Sequence, residues 1–153
     1  MSEATSALKA QIIDDMKATM KAGDKSRLAV IRLIQAALKQ KEVDERITLS
    51  DADVIAVLDK MGKQRRESIE QYKSAGRDDL AEQESYELEI IQSYLPAPLS
   101  EAEIDSLIDE AIAATGASSI REMGAVMGNL RPQLQGRADM TQVSARIKAA
   151  LGG

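Results

Sequence analysis

Two prolines one residue apart, Pro96 and Pro98, interrupt a chain whose apolar residues otherwise recur at helical spacing. Proline lacks the backbone N–H and restricts the residue before it, so no helix runs through Leu95-Pro96-Ala97-Pro98. The 153 residues therefore divide there: a helical domain over 1–95, a Pro-containing link over 96–99 and a smaller helical domain over 100–153. Hydrophobic residues make up 44% of the chain but aromatics only 2%, all of them Tyr. A core of Leu, Ile, Val, Met and Ala favours helices, because strands draw on aromatic and β-branched residues. The expected class is all-α, with about four helices before the prolines and three short ones after them.

The periodicity places these helices. Leu8, Ile12, Met16 and Met20 recur every four residues, predicting a first helix over 5–22, from Thr5 to Ala22, with Gly23 at its C-terminal cap. Asp24 is a good N-cap for a second, striped by Leu28, Ile31, Ile34 and Leu38, which fades in the charged run 41–46. A third opens at Ser50, with Asp51 and Asp53 in its first turn, and carries Val54, Leu58, Met61, Ile69 and Tyr72 to the stop at Ser74-Ala75-Gly76. The fourth, over 78–94, shows Leu80, Leu88, Ile91 and Leu95. Past the prolines, Ser100 with Glu103 makes a capping box and Leu99 with Ile104 a hydrophobic staple for a helix that ends at Gly116. Ser119 with Glu122 and Asp139 with Gln142 are spaced as two further boxes. The sixth helix, with Ile120, Met123, Met127 and Leu130, is expected to end before Pro132, and the seventh carries Val143, Ile147 and Leu151.

Two missing residue types exclude much chemistry. There is no Cys and no His, hence no disulfide frame, thiolate zinc site, Ser-His-Asp relay or haem His ligand. A general base would have to be Asp, Glu, Lys or Tyr, and no cofactor is expected. Glu82, Glu84, Glu87 and Glu89 suggest a metal cluster by number alone, but helical spacing splits them over several faces, so no metal site is expected. Ser118-Ser119 is explained by helix capping rather than by an amidase relay. The apolar runs are far shorter than the roughly 20 residues that span a bilayer. The first eleven residues lack the basic-then-apolar pattern of a signal peptide, so the expected location is cytoplasmic, away from membranes.

Charge is segregated along the chain. Seven cations and one acid lie between Lys17 and Lys41, whereas the stretch from Asp78 to Glu110 has eleven acids and no cation, so a solvated or internally paired face is the simpler reading of the N-terminal cations. After Glu110, Arg121, Arg131, Arg137, Arg146 and Lys148 face only Glu122 and Asp139, which leaves an external anion as their natural partner. The net charge of −5 argues against indiscriminate nucleic-acid binding. Gly124 and Gly128 form G-x-x-x-G, read as close packing or as a bare backbone face. Gly136-Arg137-Ala138-Asp139 is a turn and N-cap whose helix N–H groups, beside an Arg, suit a phosphate.

Five blocks occur in order: Gln64-Arg65-Arg66-Glu67-Ser68-Ile69-Glu70-Gln71-Tyr72, Ala75-Gly76-Arg77-Asp78-Asp79-Leu80-Ala81, Tyr94-Leu95-Pro96, Met123-Gly124-Ala125-Val126-Met127-Gly128 and Gly136-Arg137-Ala138-Asp139. Together they resemble the YqeY-like family, which is similar to the C-terminal tail of GatB, a subunit of the aminoacyl-tRNA amidotransferase GatCAB. The resemblance implies a helical domain followed by a three-helix domain, and a role in holding tRNA during glutamine-dependent amidation. It also implies partners among amidotransferase or aminoacyl-tRNA synthetase proteins, and the family-level activity of a carbon–nitrogen ligase with glutamine as amido-N-donor. No autonomous catalytic constellation accompanies it, so no catalytic residue is assigned. The expected tRNA-binding residues are Arg131, Arg137 and Lys148, with Gly124, Gly128 and Gly136 allowing close backbone approach. Arg65 and Arg66 form a second candidate surface, although Arg65 interrupts an apolar stripe and internal pairing competes for it. A non-catalytic adaptor that docks on a partner protein through the C-terminal helices is the alternative. An amidotransferase acting alone ranks last, for want of a nucleophile and base.

Overall fold

Most of the helices start where a side chain accepts a free N–H group of the first turn; those that begin at Asp78 and Met123 have no such cap. The computed structural model describes residues 6–152, so Thr5, the expected start of the first helix, lies outside the described residues. The elements are α1 (Ala7–Ala22), α2 (Lys25–Glu45), α3 (Asp51–Ser74), α4 (Asp78–Ser93), α5 (Glu101–Thr115), a 3₁₀ turn (Ile120–Glu122), α6 (Met123–Leu134) and α7 (Met140–Ala150). No strand occurs among the described residues, and the protein is all-α. Contacts gather into two compact units, Met1–Leu95 and Pro96–Gly153.

In the first unit, the Ser6 hydroxyl accepts from the Lys9 N–H at 3.1 Å and donates to the Asp51 carboxylate. Asp51 also takes the Leu8 N–H at 3.2 Å, so the first residue of α3 caps α1 from across the chain. Ser50 and Asp53 form a reciprocal capping box at the start of α3. The core gathers Ile12, Val30, Ile31, Ile34, Leu38, Leu49, Val54, Leu58, Met61, Ile90, Ile91 and Tyr94. The Tyr94 hydroxyl donates to Asp15 Oδ2 at 2.6 Å, tying the end of α4 to α1. Burial, then the adjacent Asp15 carboxylate, pushes this phenol up to about 12. Leu28, Ile69, Tyr72 and Leu80 lie only half-buried, at the margin of the packing.

In the second unit, Ser100 and Glu103 form the expected capping box and Gly116 ends α5 in the left-handed conformation. Leu99 and Ile104 both pack against a core of Ile108, Ala111, Val126, Leu130, Leu134, Val143 and Ile147. The expected link is bonded into this unit: Leu99 N–H donates to the Arg137 carbonyl at 2.9 Å, and Arg137 Nε donates to the Ala97 carbonyl at 3.1 Å.

The sixth helix departs from expectation. Ser119 makes no side-chain cap; instead the Ser118 N–H and hydroxyl both reach Glu122 Oε1 at 3.3 Å, and a 3₁₀ turn precedes the α-helix. Of the expected stripe, Leu130 is buried and Met123 and Met127 pack half-buried against the core; Val126 and Leu134 join it, and Ile120 is exposed. Pro132 lies inside α6 rather than beyond it. Asp139 caps α7 by accepting the Thr141 N–H at 2.9 Å, without a reciprocal bond from Gln142 among those observed.

These caps set the response to acid. Hydrogen bonds from Ser6 and Leu8 hold Asp51 below its ordinary value of 3.8, and the Ser50 N–H and hydroxyl do the same for Asp53. The Ser100 N–H and hydroxyl hold Glu103 below 4.5. The folded chain binds these protons more weakly than the unfolded chain. The stability they confer is therefore complete above the ordinary carboxylate range and is lost as pH falls below it, through the lowered values. Glu87, raised chiefly by burial, runs the other way, because the folded state takes up its proton first. Thermal melting between pH 6 and about 2.5 should show stability falling on the acid side. Asp53→Asn combined with Glu103→Gln should flatten that fall; an unchanged acid limb would contradict the capping account.

Candidate nucleic-acid interface

Helix α6 turns Val126, Leu130 and Leu134 inward, and this orientation determines what its other side presents. Gly124, Ala125, Gly128, Asn129 and Arg131 are exposed. At helical spacing Gly124, Gly128 and Arg131 fall on one stripe. No acidic residue occurs from Met123 to Ala138. A Cβ built on Gly124 or Gly128 would meet nothing within 4 Å, so G-x-x-x-G is a bare backbone face and not a helix-packing seam within the unit. Each glycine costs an exposed helix about 1 kcal/mol relative to Ala, and no contact within the described residues requires either. Pro132 adds to the effect, because it has no N–H to offer the Gly128 carbonyl four residues back.

Arg131 is exposed in the last turn of α6, where a cation also suits the helix dipole. Lys148 is exposed in the last turn of α7. The Ser144 hydroxyl lies 3.9 Å from Met127 Sδ, which sets this part of α7 beside the Gly124–Gly128 turn, with Lys148 one helical turn beyond Ser144. Among the described residues no carboxylate oxygen lies within 4 Å of Arg131 or Lys148. Gly136 has φ +78°, so the turn between α6 and α7 requires it on conformational grounds.

Arg137 has a structural task beside any binding one. It is half-buried, its N–H donates to the Leu134 carbonyl at 2.9 Å, and its Nε and carbonyl hold Ala97 and Leu99. The phosphate seat suggested at Gly136-Arg137-Ala138-Asp139 is not an open one, since the Asp139 carboxylate itself covers the start of α7. Arg146, which has few acids near it in sequence, is taken by α5: Nη2 lies 3.2 Å from Glu101 Oε1 and Nη1 lies 2.8 Å from Asp105 Oδ1.

The second candidate surface separates into two different residues. Arg65 is turned inward between α3 and α4, with Nε 3.7 Å from both Glu84 Oε2 and Glu87 Oε2 and only 18% of its side chain exposed. Its Nε is buried without a hydrogen-bond partner, so the attraction is ionic at longer range. Internal pairing therefore removes Arg65 from the solvent-facing cations. Arg66 is exposed, with Nη1 3.5 Å from where a Cβ on Gly62 would stand. Among the described residues no three carboxylates gather to hold a metal ion, and no helix is long and apolar enough to cross a membrane.

The chain is similar to the protein named "Altered inheritance of mitochondria protein 41, mitochondrial" in several fungi. It is 32% identical to that of Pyrenophora tritici-repentis over 142 residues, covering 90% of this chain and 77% of the relative. It is 38% identical to that of Eremothecium gossypii over 61% of this chain and 52% of the relative. For Lachancea thermotolerans the identity is 39%, over 65% and 54%. The match thus spans about half the length of the last two relatives. The family model described as Yqey-like protein matches residues 9–151, and the chain belongs to that family.

Proposed function

We propose that this protein holds folded tRNA, as an accessory to glutamine-dependent amidation of aminoacyl-tRNA, through the outer face of α6 and the cations beside it. The observation that carries this reading is the exposed α6 stripe. Gly124 and Gly128 have no packing role there, Arg131 shares their face, and no acid interrupts the segment 123–138. A bare helical backbone lets a phosphate–ribose chain approach closely, and a Gly128 carbonyl released by Pro132 can accept from a 2′-hydroxyl. Arg131 supplies a planar, permanently charged fork for phosphate oxygens, and Lys148 a mobile point charge. Arg137 shapes the turn and adds a positive charge beside it, part of which acts on the Glu103 carboxylate.

With three Tyr and no Phe or Trp, recognition by shape and backbone takes precedence over base stacking. We assign no reaction to the chain itself; the similarity to the GatB tail supports the tRNA-holding part of amidation, and partner proteins supply the chemistry. The reading requires only a compartment that holds tRNA, as both the expected cytoplasm and the mitochondrion named for the relatives do.

Replacing Arg131, Arg137 and Lys148 together by Gln should weaken tRNA binding at least tenfold. The slope of log affinity against log salt should fall by roughly 2, since each phosphate contact contributes roughly 0.7–0.9. Unchanged affinity would remove these residues from the site. Gly124→Ala with Gly128→Ala should have opposite effects on two readouts. The helix gains about 1 kcal/mol at each position in thermal or denaturant unfolding, while tRNA affinity falls because methyl groups now cover the backbone. A stabilised variant that binds tRNA as before would rule out close backbone approach.

A further inference from the structure

Helix α2 carries a second feature that neither its core nor its ion pairs explain. Val30, Ile31, Ile34 and Leu38 face inward. On the outer side Lys25, Ala29, Arg32, Ala36, Lys39 and Val43 follow one another at alternating steps of four and three residues, and all six are exposed. Such steps keep to a single stripe of a helix. The three cations recur every seven residues, about 10.5 Å apart at 1.5 Å per residue, and no carboxylate lies on the stripe.

The acids at the end of α2 are engaged elsewhere. Glu42 pairs with Lys9 Nζ at 2.7 Å, Glu45 lies 3.7 Å from Lys41 Nζ, and Asp44 accepts from Gln40 Nε2 at 2.8 Å. The charges also oppose the helix dipole. Lys25 and Arg27 occupy the first turn, Glu42, Asp44 and Glu45 the last, with no acid in the first turn and no cation in the last. Stability of an isolated helix would favour the reverse order.

We infer that the exposed stripe of α2 is a rail for the sugar–phosphate backbone of a structured RNA. The rail rests on the reading of the protein as an RNA binder, but not on Arg131, Arg137 or Lys148. Charge complementarity selects a polyanion, and regular spacing along a rigid helix suits one with repeating phosphates. Ala29 and Ala36 between the cations keep the surface low, so a ridge of backbone can lie along it. A helix lying in a lipid surface would carry large apolar residues on such a face; of these only Val43 is on the stripe, and Leu33, 45% exposed, flanks it.

The full-length protein provides the test, with folded tRNA and a plain RNA duplex as probes, alongside vesicles of anionic and neutral phospholipid. Lys25→Gln, Arg32→Gln and Lys39→Gln together retain good helix formers at exposed positions, and circular dichroism checks the fold. Ala36→Glu is a second variant that keeps every cation and adds one repelling carboxylate. The expected result is a fall of roughly 2 in the salt slope for the triple variant, with at least tenfold weaker binding of both RNAs. Ala36→Glu should weaken binding several-fold. Wild-type affinity and slope in both α2 variants, while the variant lacking the α6–α7 cations loses binding, would overturn the rail and leave the proposed tRNA site standing. Loss of RNA binding in the α2 variants alone would support the rail and remove the α6 assignment. Unchanged RNA binding with loss of vesicle binding would assign the stripe to lipid and overturn the rail.

Discussion

Ion pairing within each unit decides which cations remain for an external partner. Arg65 is drawn between Glu84 and Glu87, Lys9 to Glu42, and Arg146 to Glu101 and Asp105. A cation with a carboxylate at its head gains less from a phosphate, because that carboxylate must be displaced or left beside the incoming anion. The acidic stretch 78–110 therefore acts selectively: it neutralises Arg65 of α3 and Arg146 of α7. Arg131, Lys148 and the cations of the α2 stripe are exposed. A chain of net charge −5 can thus carry local cationic surfaces.

Helix α6 shows the second constraint. A glycine in a helix is retained at a cost unless something approaches it or a positive φ requires it. Gly136 meets the second condition with φ +78°, and Gly23 and Gly116 do so as helix caps. Gly124 and Gly128 meet neither condition inside the described residues. Together with Pro132, which leaves the Gly128 carbonyl outside the usual helical ladder, they make the backbone itself the exposed feature of α6.

Much of the fold was legible in the sequence because it depends on local signals. Ser50 and Ser100, the αL glycines at 23 and 116, and most of the apolar stripes of α1 to α5 are read from residues a few positions apart, although Met20 of the α1 stripe is exposed. The Ser119–Glu122 box failed for an equally local reason, since Ser118 competes for the same carboxylate and a 3₁₀ turn intervenes. Ile120, in that turn, is exposed, while Met123, Met127 and Leu130 of the expected stripe still meet the core beside Val126 and Leu134. The site was less legible, because its cations are sorted by distant partners. Arg146 finds Asp105 41 residues away and Arg137 finds Ala97 40 residues away, separations that no motif spacing reveals. Arg65 was the exception, as its place in an apolar stripe already hinted at an inward turn.

The most direct test of the account follows the backbone amides of the full-length, isotope-labelled protein by NMR as folded tRNA is added. The signals of Gly124, Gly128 and Gly136 should shift or broaden saturably, at the RNA concentrations that saturate binding and in a salt-dependent way, while Ala111 in the core stays in place. If tRNA saturates the protein and those three glycine signals do not move, the α6 face is not where RNA is held.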